Sequence, residues 1–227
     1  MNHTSLTIVM ILIYIYFIQY YKISCPQYFI DDLLNQRYFK TGDLICFKAY
    51  NHFNAVFTGC YFTHIGIVFI DPNDPNQTPM LFEASTPVNS NLRPYHNQYG
   101  IYCTPLKERL IKYKGRCFLK SLNKNLSINR INELKHFITY AIQNMQYDQH
   151  LFKSAFLKWI GYQNCNYNTN CGELVFLALL KLGLFDLSTF NNIKFPHHLH
   201  WLCYLKKINK TYQYNDLIEI IDHPFAR

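Results

Sequence analysis

Three side chains in this sequence are of types that do chemistry together. Cys171 follows the polar segment NYNTN and opens the apolar run CGELVFLALLKLGLF. A thiol at a helix N-terminus feels the positive end of the helix dipole, which favours the thiolate, the form that attacks a carbonyl. His64 is the one titratable group in the strand-like run THIGIVFI, and it is suited to take a proton from a thiol and return it to a leaving group. Glu83 lies in the next such run, LFEA. A carboxylate there needs a partner, and holding an imidazole in one tautomer would provide one. Taken singly each has a plainer reading: a small buried thiol, a satisfied core histidine, a surface-facing acid on an edge strand.

The elements that must position these groups can be read from pattern. DLICFKAY (43–50), THIGIVFI (63–70), MLFEA (80–84), GIYCTPL (100–106) and RCFLKSL (116–122) predict about five strands, separated by turn clusters such as DPNDPN. From Ile128 to Met145 the apolar residues recur at helical spacing. Residues 151–160 suggest a second short helix. The run from Cys171 is apolar nearly all round, as a buried helix is, with Gly183 marking its end. HHLHWLCYL and the final DLIEII would close the sheet or pack on it. Strands followed by helices predict an α+β class, with an antiparallel sheet or small open barrel packed on helices.

The order of these segments resembles the permuted papain-like superfamily, and within it the YiiX/YaeF-type amidases and their poxvirus relatives, NlpC-type proteins with reordered motifs. TGDLICF (41–47) is similar to the family's opening Gly-Asp strand, FTHIGIVF (62–69) to its histidine strand and LFEA (81–84) to its Glu-Ala strand. MQYDQHLF (145–152) is similar to its Tyr-Asp segment, and NCGELVFLALLKLG (170–183) to its cysteine helix, with Gly172 where Ser is common. The matches span roughly residues 41–183. The resemblance implies a circularly permuted papain-like (NlpC-type) fold, with Cys171 as nucleophile, His64 as base and Glu83 as the residue that orients it. It implies a cysteine hydrolase, amidase- or peptidase-like, that cleaves an amide or ester through an acyl-thioester. No cofactor and no metal are expected, since no standard zinc spacing and no HEXXH motif is present. Tyr147 and Asp148 match the family segment without a definite chemical role, and Glu173 reads as structural. Two alternatives stay open: lipid acyl hydrolysis or acyl transfer, and a catalytically silent interaction protein.

Composition narrows the classes further. The chain has 227 residues, 49% of them hydrophobic and 17% aromatic, and only 16% charged. The usual charged share is about 25%, so disorder over most of the length is excluded. Residues 6–18, LTIVMILIYIYFI, form one apolar block with no acidic or basic side chain before Lys22. The expected organisation is a hydrophobic N-terminal anchor or signal segment at 1–22 and a papain-like domain at 40–227. The block is short for a full span of about 20 residues but is flanked by tyrosines suited to the membrane interface. Lys22, Arg37 and Lys40 follow it and no basic side chain precedes it, which places the main domain on the cytoplasmic side of a membrane. The sequons at Asn2, Asn76, Asn125 and Asn209 point weakly the other way, so the topology stays open.

The net charge of +8 is scattered, and no nucleic-acid-binding signature is present. The expected partners are therefore an amide- or ester-containing substrate (a peptide, a lipid or a lipidated protein) and a membrane. Eight cysteines without a CxxC pair do not read as a disulfide scaffold. His197, His198 and His200 fit no standard zinc spacing. The abundance of Asn, Ile, Lys and Tyr suits an AT-rich genome, and with the poxvirus-like motifs it suits a viral protein of a large DNA virus.

Overall fold

The computed structural model describes residues 9, 10, 13, 23–49, 61–85, 100–147, 168–185, 202–206 and 208–222. Its centre is a seven-stranded sheet. The strands are β1 (Gln27–Phe29), β2 (Leu44–Ala49), β3 (His64–Ile70), β4 (Pro79–Ser85), β5 (Gly100–Pro105), β6 (Gly115–Lys120) and, last in the chain, β9 (Ile218–Ile221). They lie in the order β1-β9-β6-β2-β3-β4-β5. A second, two-stranded sheet pairs β7 (Gln146–Tyr147) with β8 (Asn168–Thr169) in parallel. The helices described are α1 (Ile30–Asn35), α2 (Leu106–Ile111), α3 (Ile128–Asn144) and α4 (Cys171–Lys181).

The class is α+β, and the sheet differs in two ways from the antiparallel sheet or barrel expected. Every pair from β9 to β5 is antiparallel, but β1 joins β9 in parallel, so the sheet is mixed. It is also open, because β1 and β5 are its two ends. The parallel pair joins Gln27 to Glu219 from the two extremes of the fold, where no hairpin constrains direction. The lead-in before residue 40 is thus part of the sheet and of the α1 layer.

The strands are apolar on both faces, as strands covered on both sides must be. On one face Leu44, Cys46, Ile65, Ile67, Phe82 and Phe118 pack with α3 and α4. On the other, Ile45, Phe47, Val68, Leu81 and Leu119 pack with α1 and α2. The α3 helix buries Leu134, Phe137, Ile138 and Ala141, a stripe at helical spacing. Gly42 turns the chain into β2 with φ 98. Asp43, fully buried, then ties the strand to its neighbours: its carboxylate accepts from the N–H of Leu122 at 2.7 Å and of Lys40 at 2.8 Å. Burial pushes the Asp43 carboxyl up to about 7, against these hydrogen bonds. Its role is structural.

No helix among the described residues is long and apolar enough to cross a membrane. Of the apolar segment at 1–22, only Val9, Met10 and Ile13 are described, and all three are exposed. The helix expected at 151–160 and the histidines at 197, 198 and 200 lie outside the described residues.

Candidate active site

His64 and Glu83 reach each other through strand alternation. Val68 and Leu81 are paired across β3 and β4. His64 is four residues from Val68, and Glu83 two from Leu81, so all four side chains lie on one face. Close approach of the strands needs Gly66 between them: a Cβ there would sit 2.8 Å from Leu81 Cδ1 and 3.2 Å from the Phe82 carbonyl oxygen. The His64 Nε2 and Glu83 Oε2 are 2.5 Å apart in a buried hydrogen bond. Glu83 is wholly buried, and β4 is an interior strand, so the edge-strand reading of this acid does not hold.

Cys171 is brought in by α4, which packs against β3 and β4. The helix start is fixed by Asn170, a residue type strongly preferred as an N-cap. Its side chain accepts the Glu173 N–H at 3.0 Å, and the Glu173 carboxylate accepts the Asn170 N–H at 3.4 Å. This reciprocal box gives Glu173 a structural task and leaves Cys171 as the first residue of the helix. Just upstream, Tyr147 pairs with Thr169 in the small sheet, so Tyr147 braces the approach to the helix. Asp148 lies outside the described residues. Cys171 is half-buried, and its thiol is in hydrogen-bonding contact with the His64 ring. Because Nε2 is committed to Glu83, Nδ1 is the ring atom left for the sulfur.

The electrostatics are those of a charge-alternating row. Burial works against the His64 imidazolium, but the Cys171 sulfur and the Glu83 carboxylate outweigh it and raise its pKa to about 9. Burial likewise opposes the Glu83 anion, yet Arg109 and His64 together hold it down at about 2.

Arg109 is a member of this row that sequence reading passes over. It projects from α2, 3% exposed, and its Nε donates to Glu83 Oε1 at 2.6 Å. Its Nη2 donates to Glu83 Oε2 at 3.3 Å. The guanidinium lies over the rings of Phe47, at 4.6 Å, and Tyr113, at 5.2 Å. In LKERL, Arg109 stands beside Lys107 and Glu108 and looks like part of a solvated helix face. The usable signal was the strand carboxylate Glu83, which called for more than one partner.

None of the six described cysteines is in a disulfide. Cys46, Cys117 and Cys203 are buried, while Cys25 and Cys103 are half-buried like Cys171. Among the described residues no group of three His, Cys, Asp or Glu side chains is arranged to hold a metal ion.

No protein-family model matches this chain, and no curated protein matches it. Among solved structures, the fold is similar to that of the metalloprotein yiiX from Escherichia coli O157:H7, a protein of the YiiX/YaeF family. The identity is 19% and the TM-score 0.42, over 63% of this chain and 66% of that one, so the chain spans just under two thirds of its neighbour's length.

Proposed function

We propose that the protein is a membrane-associated cysteine hydrolase, amidase- or peptidase-like, on a permuted papain-like fold. One observation carries the reading: a thiol on the first residue of a helix contacts a buried imidazole whose far nitrogen is held by a buried carboxylate. That is a nucleophile, a base and an orienting group in mutual contact.

In this reading Cys171 gives its proton to His64 Nδ1, and the sulfur attacks the carbonyl carbon of an amide or ester. The negative charge that develops on the carbonyl oxygen lies near the start of α4, where the Cys171 N–H is a candidate donor. His64 passes the proton to the leaving amine or alcohol, and the acyl group remains as a thioester on Cys171. His64 then takes a proton from water, which displaces the acyl group as a carboxylic acid and restores the thiol. Glu83 keeps Nε2 protonated and the ring aimed at the sulfur throughout. The apolar block at residues 6–18, with no charged side chain before Lys22, is what supports a segment seated in a bilayer. A membrane-held enzyme would meet a lipid, a lipidated protein or a membrane-proximal peptide.

The test uses p-nitrophenyl acyl esters with the full chain. A burst of nitrophenol is expected, with an acyl adduct on the Cys171 peptide by mass spectrometry. Cys171→Ser should lower turnover by about 10³-fold or more. Turnover that survives in Cys171→Ser, or an adduct on another residue only, would refute the reading.

A further inference from the structure

We infer that Arg109 is a positioning residue of this site: it supplies the buried positive charge that balances Glu83, and so sets the pH at which Cys171 becomes reactive through His64. The inference rests on the proposed thiol chemistry and adds to it a fourth residue, from a different element and a different layer of the fold.

Glu83 is shared between two cations. Oε2 receives both His64 Nε2 and Arg109 Nη2, while Oε1 receives Arg109 Nε. Phe47 touches both cations, with its ring centroid 5.3 Å from that of His64 and its face under the Arg109 guanidinium. The same aromatic side chain therefore spaces the imidazole and the guanidinium about one carboxylate.

Stability gives little reason for this arrangement. A buried ion pair can often be replaced by packed apolar groups at no loss, because both charges must be desolvated. Arg109 is also imperfectly satisfied: its Nη1 is buried with no hydrogen-bond partner. The fold carries an unpaired donor in order to place a full positive charge on Glu83.

The charge count explains what that does. With Cys171 as thiolate and His64 as imidazolium, the row Cys171, His64, Glu83, Arg109 sums to zero. Without Arg109 the same row carries one net negative charge in a buried site, which opposes loss of the thiol proton. Other groups do not alter this count. Cys103, Cys117 and Tyr113 also feel Glu83, but burial raises all three, Cys103 to about 12, so they stay neutral near pH 7. Glu173, near Cys171 on α4, stays in its capping box in every variant below.

The experiment measures the rate of iodoacetamide labelling of Cys171 against pH, by peptide mapping on the full chain. Arg109→Met should move the midpoint of the profile upward by about one pH unit, a tenfold slower labelling on its lower limb. Arg109→Lys keeps the charge and should keep the midpoint near that of wild type. Glu83→Gln with Arg109→Met removes both charges, and the midpoint should return toward wild type. A purely structural Arg109 would lower the amount of labelled protein at every pH without moving the midpoint, and that result would overturn the inference. So would a shift in Arg109→Met that the double variant fails to reverse. Should Arg109→Met not fold, an unshifted midpoint in Arg109→Lys with a shifted one in Glu83→Gln alone supports the charge balance, and no shift in Glu83→Gln overturns it. If wild-type Cys171 labels no faster than Cys25 or Cys103, the hydrolase reading itself fails, which is a separate outcome.

Discussion

Glu83 holds two cations at once, and that makes the site pH-sensitive in a definite direction. Its pKa is lowered from 4.5 to about 2, so its contribution to stability is complete above pH 4.5 and is lost as the pH falls through about 2. His64 is raised from 6.5 to about 9, so its contribution is complete below pH 6.5 and is lost as the pH rises through about 9. A Glu83→Gln variant lacks the acid limb. Its stability deficit against wild type, on the order of 3 kcal/mol from a shift of this size, should shrink as the pH drops from 5 to 3, measured as urea midpoints. A deficit that stays constant over that range would mean that Glu83 is not held as an anion. His64 and Glu83 were legible in the sequence because each interrupts an otherwise apolar run, and Cys171 because it opens one after a polar segment. Arg109 was not, because an arginine that directly follows Lys107 and Glu108 carries no sign of burial.

The strands and helices work by bringing these groups into register. Gly66 lets β3 and β4 approach, and Gly66→Ala would put a methyl group against the Phe82 carbonyl and the Leu81 side chain. We expect a loss of about 1–3 kcal/mol by chemical denaturation, with slower Cys171 labelling as His64 and Glu83 separate. The Asn170 cap aims α4, and Asn170→Ala should cost about 1 kcal/mol. Glu173→Gln keeps an acceptor for the Asn170 N–H and should be nearly silent in the same assay. Strands β2 to β6 and helices α3 and α4 could be read from pattern, since turn clusters bound the strands and periodicity marks α3. β1, α1 and α2 could not: three to six residues are too few to show a period, and β1 gains its place only by pairing with a strand near the other end of the chain.

Across the whole molecule, the sheet joins both extremes of the described chain. Glu219 on β9 accepts from Gln27 on β1 and from Arg116 on β6, which locks the parallel edge to the antiparallel body. Every strand of the sheet lies after residue 26, so deleting residues 1–22 removes none of them. The full chain should float with lipid vesicles and the shortened chain should not, while Cys171 labelling stays the same in both. Equal flotation of the two would remove the anchor from the account. The order His64, Glu83, Cys171 along the chain is plain in the sequence, but the direction of β1 is not, because long-range pairing leaves no local mark. All of this serves one claim, that His64 activates Cys171. The most direct measurement is the alkylation rate of Cys171 at pH 6, where an ordinary thiol is almost wholly protonated. The account predicts labelling about 100-fold faster than that of an unstructured cysteine peptide in wild type, falling to the peptide's rate or below it in His64→Ala. A wild-type Cys171 rate no higher than the peptide's, or an undiminished rate in a folded His64→Ala protein, would contradict it.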